Sequence, residues 1–304
     1  MKRSDYKDQV RLLLDVLPQV AKEDCFALHG GTAINLFVRD MPRLSVDIDL
    51  TYLPIEERST TLENISAALI RIKNRIEKAL PNIQIQHKEE VGKLLITQQR
   101  THIKLEVNLV GRGTIEPPTR MMLCKKAQEI YDLSAVINVI PTGQLYGGKI
   151  CAALDRQHPR DLFDVKYLLK NEGFSDEIKQ GFIFCLLSGD RPINEILSPN
   201  RQDHRKAMEN QFIGMTTEDF SYHEYETIRE RLIKAVNSRL TEQDKTFLLS
   251  VKNVSPNWSI YDFERFPAIQ WKLRNLQKLK TNNPEKHNQQ YQALKKLLHD
   301  HNKS

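Results

Sequence analysis

Asp47 and Asp49 flank one isoleucine in the run Val46-Asp-Ile-Asp-Leu50. In a β-strand, residues two apart project from the same face while their neighbours project from the other, so the two carboxylates converge on one point. Two anions that close repel and raise a pKa unless a cation lies between them. The natural occupant is a hard divalent cation with oxygen ligands, Mg²⁺ or Mn²⁺, and such cations work on phosphates. Upstream, Cys25 to Leu28 reads as a short buried strand, Gly30-Gly31 as a turn, and Thr32 to Val38 as a helix. Glycine lacks the Cβ that would keep a phosphate away from the free N–H groups at a helix start. Thr32 can act as N-cap or as a hydroxyl ligand. Alone, Gly30-Gly31-Thr32 is a tight turn with a capped helix. One helical connection away from an Asp-x-Asp strand, it becomes a phosphate cradle beside a metal site.

Two further groups carry chemistry. The stretch His102-Ile-Lys-Leu-Glu-Val-Asn-Leu109 alternates strictly between polar and apolar residues, so one face is wet. If this strand pairs beside Asp47 and Asp49, Glu106 supplies a third carboxylate, to deprotonate an attacking hydroxyl or complete a second metal site. Any half-exposed strand carries charges on its polar face, which is the competing explanation. Later, Leu145-Tyr-Gly-Gly-Lys-Ile-Cys-Ala-Ala-Leu-Asp-Arg156 places Lys149 on one helix, and Asp161 and Asp164 begin the next after Pro159. Gly147 and Gly148 inside a helix each cost about 1 kcal/mol relative to alanine, so a close backbone approach or a ligand is expected there. Lys149 beside them can meet a triphosphate as a point charge. Local salt bridges and first-turn acidity explain Arg160-Asp161 equally well when taken singly.

The elements that must position these groups follow from periodicity. A chain of 304 residues with 40% hydrophobic content is comfortable as two domains with real cores. Tyr6 to Ala21 reads as an amphipathic helix and Ile55 to Leu80 as another, closed by Pro81. Ile83 to His87, Lys93 to Thr97 and Ile103 to Val110 read as strands, Gly111 to Pro118 as a loop, and Ala135 to Ile140 as a further strand. From Pro141 onward the periodicity is almost wholly helical, with Ser175 to Leu187, Tyr222 to Leu240 and Thr241 to Val251 the clearest segments. The natural division is 1–140 and 141–304. Trp258, Tyr261, Phe263 and Phe266 read as core packing rather than base stacking, and Arg201 to Lys206 as a solvated turn.

No apolar run approaches the ~20 residues that cross a bilayer, and no secretory h-region stands at the N-terminus, so a cytoplasmic location without membrane attachment is expected. Cys25, Cys124, Cys151 and Cys185 lack a paired spacing and sit among apolar neighbours, which suggests buried free thiols. A net charge of +6 and a pI near 9.0 favour a polyanionic partner without requiring one. Positive charge concentrates from Lys272 to Lys280, beside Trp271, with Lys286, Lys295 and Lys296 beyond, and such a tail suits a phosphate backbone.

The ordered motifs HGGTAINLF, RLSVDIDL, G-K-I-x-A-L-x-R and R-D-x-x-D resemble those of the AbiEii/AbiGii toxin family, nucleotidyltransferases of bacterial toxin–antitoxin and abortive-infection systems. Phe266-Pro-Ala-Ile-Gln-Trp-Lys-Leu-Arg-Asn-Leu also looks like the family's C-terminal segment, so the resemblance spans nearly the whole chain. It implies an α+β nucleotidyltransferase-type mixed sheet with helices, followed by an all-helical domain contributing Lys149 and Asp161 to the site. It implies that Lys149 holds the nucleotide phosphates, Asp161 is the essential acid near the nucleotide, and Ser45 contacts the triphosphate or metal. Asp164 shares the acid's role, and Arg156 and Arg160 match basic positions.

The expected activity is Mg²⁺-dependent transfer of NMP from an NTP bound by Gly30, Gly31, Thr32, Ser45 and Lys149. The resemblance points to RNA as acceptor, foremost the 3′ end of tRNA, with growth arrest as the result and a separate antitoxin protein as the restraint. Two other readings compete: nucleotidylation of a protein or small-molecule hydroxyl, and a non-catalytic binding protein that kept the fold.

Overall fold

In a computed structural model, residues 3–300 are described. The elements in chain order are α1 (Arg3–Val20), β1 (Phe26–His29), α2 (Gly30–Ala33, continued by a π-helical turn at Ile34–Val38), β2 (Asp47–Tyr52), α3 (Arg58–Ala79), β3 (Ile83–Lys88), β4 (Lys93–Gln98), β5 (Thr101–Asn108), β6 (Thr119–Met122), α4 (Lys125–Tyr131) and β7 (Val136–Val139). Helices follow: α5 (Thr142–Asp155), α6 (Pro159–Asn171), α7 (Asp176–Ser188), α8 (Ile193–Leu197), α9 (Arg205–Ala207, with a π turn at Met208–Phe212), α10 (Tyr222–Arg239), α11 (Glu242–Lys252), α12 (Pro267–Asn282) and α13 (Pro284–Asp300). The fold is therefore a mixed α+β sheet part followed by helices alone. No described helix is long and apolar enough to cross a membrane.

Two compact units divide the chain, Met1–Pro141 with Lys206–Asp219, and Thr142–Arg205 with Phe220–Ser304. The first holds a seven-stranded sheet in the order β3-β4-β5-β2-β1-β7-β6. β2 runs parallel to β5, and β1 parallel to β7; the other neighbours are antiparallel. One face is apolar because the strand alternations are in phase: Val107, Leu50, Leu28 and Val139 follow each other across four strands. Leu105 lies beside Ile48 in the same way. α1 and α3, each with a buried apolar stripe, pack on this sheet. The returning segment 206–219 is tied to the loop before β2 by main-chain pairing, with Leu44 N–H donating to the Met215 carbonyl at 2.7 Å and an Arg43–Thr216 bridge.

In the second unit the glycines of α5 find their explanation. A Cβ on Gly147 would overlap the backbone of Gly181 and Phe182 in α7, and one on Gly143 would overlap Glu177. The glycines thus allow two helix backbones to touch, the close backbone approach expected at Gly147. Gly148 faces only the Cys185 sulfur. Phe263 and Phe266 are buried, and Tyr261 stacks on Phe263 with ring centroids 5.1 Å apart, so this aromatic group is core. All four cysteines are free thiols.

Candidate active site

The face of the sheet opposite the apolar one carries a row of charge. Register places His29, Asp49, Glu106 and Lys93 side by side on β1, β2, β5 and β4, with Asp47 beside Lys104 one step along. The condition set on Glu106 is met, since its strand is the immediate neighbour of the Asp-x-Asp strand. Its carboxylate is already engaged: Lys93 Nζ stands 3.0 Å from Oε1 and Lys104 Nζ 2.8 Å from Oε2. Burial pushes this carboxyl up, but the bonds to Lys104 and Lys93 outweigh it and hold the pKa below its ordinary value. Among the described residues no group of three His, Cys, Asp or Glu is arranged to hold a metal ion.

Above Asp49 lies the glycine turn. Gly30 adopts φ +73°, the left-handed region that side chains avoid, and a Cβ there would meet Asp49 Oδ2 at 2.8 Å. A Cβ on Gly31 would stand 2.7 Å from Arg43 Nη2 and 3.0 Å from Ser45 Oγ. Both glycines therefore let a carboxylate, a guanidinium and a hydroxyl close directly on the backbone of the turn. The helix begins at Gly30 rather than at Thr32, with His29 in the N-cap position and making no side-chain cap bond. Thr32 is not the cap. Its buried hydroxyl donates to the Asp47 carbonyl and lies 3.0 Å from Ser45 Oγ, which fixes the start of β2 against the helix. Having one proton to give, Thr32 then accepts from Ser45. Asn35 closes the turn, its Nδ2 donating to the Gly31 carbonyl at 2.9 Å.

The second cluster is assembled on α5 and α6. His158 caps α6, its Nδ1 accepting from Arg160 N–H at 3.1 Å, and Pro159 occupies the first turn. This brings Asp161 and Asp164 inward, one turn apart. Lys149 Nζ lies 2.8 Å from Asp161 Oδ1 and 3.0 Å from Asp164 Oδ2, and all three are buried. The Lys149 ammonium is desolvated and held by the two carboxylates. Burial pushes the Asp161 carboxyl up, but the Lys149 and Arg156 charges prevail and hold it well below the usual carboxylate range. Asp161 in turn grips Arg156 with both oxygens, at 2.6 Å from Nε and 3.0 Å from Nη2. The Arg156 side chain is 62% exposed, so the cluster presents Arg156 outward and keeps Lys149 within.

Sequence reasoning overlooked two cations of the first unit. Arg43 is buried against the glycine turn and donates to its neighbour's carbonyl, Leu44 O, at 2.9 Å. Lys104 shares the wet face of β5 with Glu106, and the charges of Asp47 and Asp49 as well as Glu106 act on it. Burial lowers its pKa, and those three carboxylates together raise it above the ordinary lysine value. The strict alternation of β5 already placed Lys104 beside the carboxylates. Only the fold places Arg43.

Carboxylate oxygens and a hydroxyl pair, gathered against the glycine turn, form a hard-oxygen donor set. Asp47 and Asp49 fit a divalent cation of the Mg²⁺ type on this chemistry. The family model described as nucleotidyl transferase AbiEii toxin, type IV toxin–antitoxin system, matches residues 11–275. Among solved structures, the nucleotidyltransferase toxin MenT4 from Mycobacterium tuberculosis H37Rv is similar in fold, with a TM-score of 0.63 over 90% of this chain and 93% of that one, at 13% identity. Comparison with curated proteins finds no match.

Proposed function

Because this chain belongs to the nucleotidyl transferase AbiEii toxin family of type IV toxin–antitoxin systems, we propose that it transfers a nucleoside monophosphate from an NTP to the 3′-terminal hydroxyl of tRNA, arresting growth until a separate antitoxin protein restrains it. The observation that carries this reading is the pairing of Asp47 and Asp49 on one face of β2 directly beneath the Gly30-Gly31 turn.

In this account the N–H groups of the glycine turn receive the triphosphate, with Arg43 adding positive charge and Ser45 and Thr32 fixing the turn to β2. Asp47 and Asp49 would hold a Mg²⁺ or Mn²⁺ ion, which when bound would neutralise phosphate charge. The acceptor hydroxyl oxygen forms a bond to the α-phosphorus as the bond to the bridging oxygen breaks, and pyrophosphate departs with that oxygen. The proton of the hydroxyl goes to the Glu106 carboxylate, which Lys93 and Lys104 hold in place. Within the helical unit, Asp161, held by Lys149, keeps Arg156 in its outward pose.

Label position tests the reading. An α-labelled NTP should mark tRNA and a γ-labelled one should not. Marking by the γ-label would indicate phosphoryl transfer, and marking of the protein alone would move the activity to protein nucleotidylation.

A further inference from the structure

Helix α12 carries Lys272, Arg274, Lys278 and Lys280 with no aspartate or glutamate among its residues. Two of these cations are structural. Lys272 is buried, and its ammonium donates to the carbonyls of Gly189 at 2.6 Å and Arg191 at 2.8 Å, with Leu186 O at 3.5 Å. Lys280 donates to the Asn253 carbonyl at 2.9 Å and to Asn253 Oδ1 at 3.3 Å. Each thus closes the carbonyl-rich end of a neighbouring helix, α7 or α11, where the backbone carries partial negative charge. The expectation that Lys272 lies along a phosphate backbone is therefore corrected: all its donors point inward.

Arg274 and Lys278 remain. Both are exposed, and neither has a carboxylate partner among the described residues. Trp271 is 48% exposed, one turn before Arg274, and Lys278 follows one turn after it. Spacing of i, i+3 and i+7 brings all three to one side of the helix. An aromatic plane flanked by free positive charge complements a polymer of flat bases and regularly spaced phosphates.

We infer that the Trp271–Arg274–Lys278 face of α12 is a contact surface for the acceptor RNA, the indole stacking on a base and the two cations neutralising phosphates. This rests on the reading of the acceptor as RNA given above.

The experiment is binding of bulk tRNA to the full-length protein by fluorescence anisotropy across a salt series, with NTP affinity measured on every variant. Arg274→Gln with Lys278→Gln should weaken tRNA binding about tenfold at low salt and flatten the slope of log K on log salt by about 1.4–1.8, two phosphate contacts' worth. Trp271→Ala should weaken binding about tenfold with the slope unchanged, because stacking releases no counterions. NTP affinity should stay at the wild-type value throughout. Variants that bind tRNA with wild-type strength and slope overturn the inference, leave RNA as acceptor, and turn this face toward an acidic protein partner. A wild-type protein that binds no tRNA at low salt overturns the acceptor reading and this inference with it.

Discussion

A Cβ built on Gly30 would stand 2.8 Å from Asp49 Oδ2, so the turn and the carboxylate strand are shaped to each other. Gly30→Ala meets two penalties at once, the clash and a left-handed φ of +73°. The conformation alone costs about 1–2 kcal/mol. The variant should lose that much stability in urea denaturation and lose nucleotidyl transfer by more than a hundredfold, the larger effect arising because Asp49 must turn away. Retained transfer in a destabilised protein would show that the turn only shapes the backbone.

Lys149 lies between two buried carboxylates, and its removal leaves both without their shared counter-charge. Lys149→Met should destabilise by about 3–5 kcal/mol, the cost of breaking a buried ion pair from one side. Lys149→Arg is no remedy, since a planar fork cannot take the place of a compact ammonium. Urea midpoints of the two variants measure this directly.

Asp161 supplies a pH dependence. Its folded pKa lies below the unfolded value of about 3.9, so on acidification the unfolded chain takes up the proton first. The stabilisation is whole above about pH 5 and drains away as pH falls through the unfolded and then the folded value. Asp161→Asn should be less stable at neutral pH and show a shallower fall between about pH 5 and 3. Parallel curves for the two proteins would remove Asp161 from the acid response.

Glu106 is held down by Lys104, its partner at 2.8 Å, and by Lys93. Glu106→Gln should lower kcat by about 10²-fold or more and erase the acidic limb of the pH–rate profile. Lys104→Met, which removes one of the charges keeping Glu106 ionised, should move that limb to higher pH. A limb that stays in place in both variants would assign the proton to another acceptor.

Much of this site was legible because its signals are local. A period of two fixed the shared face of Asp47 and Asp49 and of Lys104 and Glu106, and the paired glycines marked the turn. What stayed hidden depends on neighbours remote in sequence. Segment 206–219 joins the sheet unit through Met215 and Thr216, whose Oγ1 donates to the carbonyl of Pro42, 174 positions away. β6 is short and mostly exposed, without the alternation that betrays a strand. Lys272 and Lys278 look alike in sequence. One is buried because carbonyls at the end of α7 await it, and the other is not. Lys149 was read as a phosphate ligand from motif and charge, whereas its inward pairing depends on the cap at His158 that turns Asp161 and Asp164 inward.

The most direct measurement is transfer of label from an α-labelled NTP to bulk tRNA by the wild type, Asp47→Asn and Asp49→Asn, with and without a chelator. The account predicts labelled tRNA from the wild type, no label once chelator is added, recovery on return of Mg²⁺ or Mn²⁺, and a loss of about a thousandfold or more in either variant, the several kcal/mol that a lost metal site removes. Transfer by Asp47→Asn at the wild-type rate would contradict it.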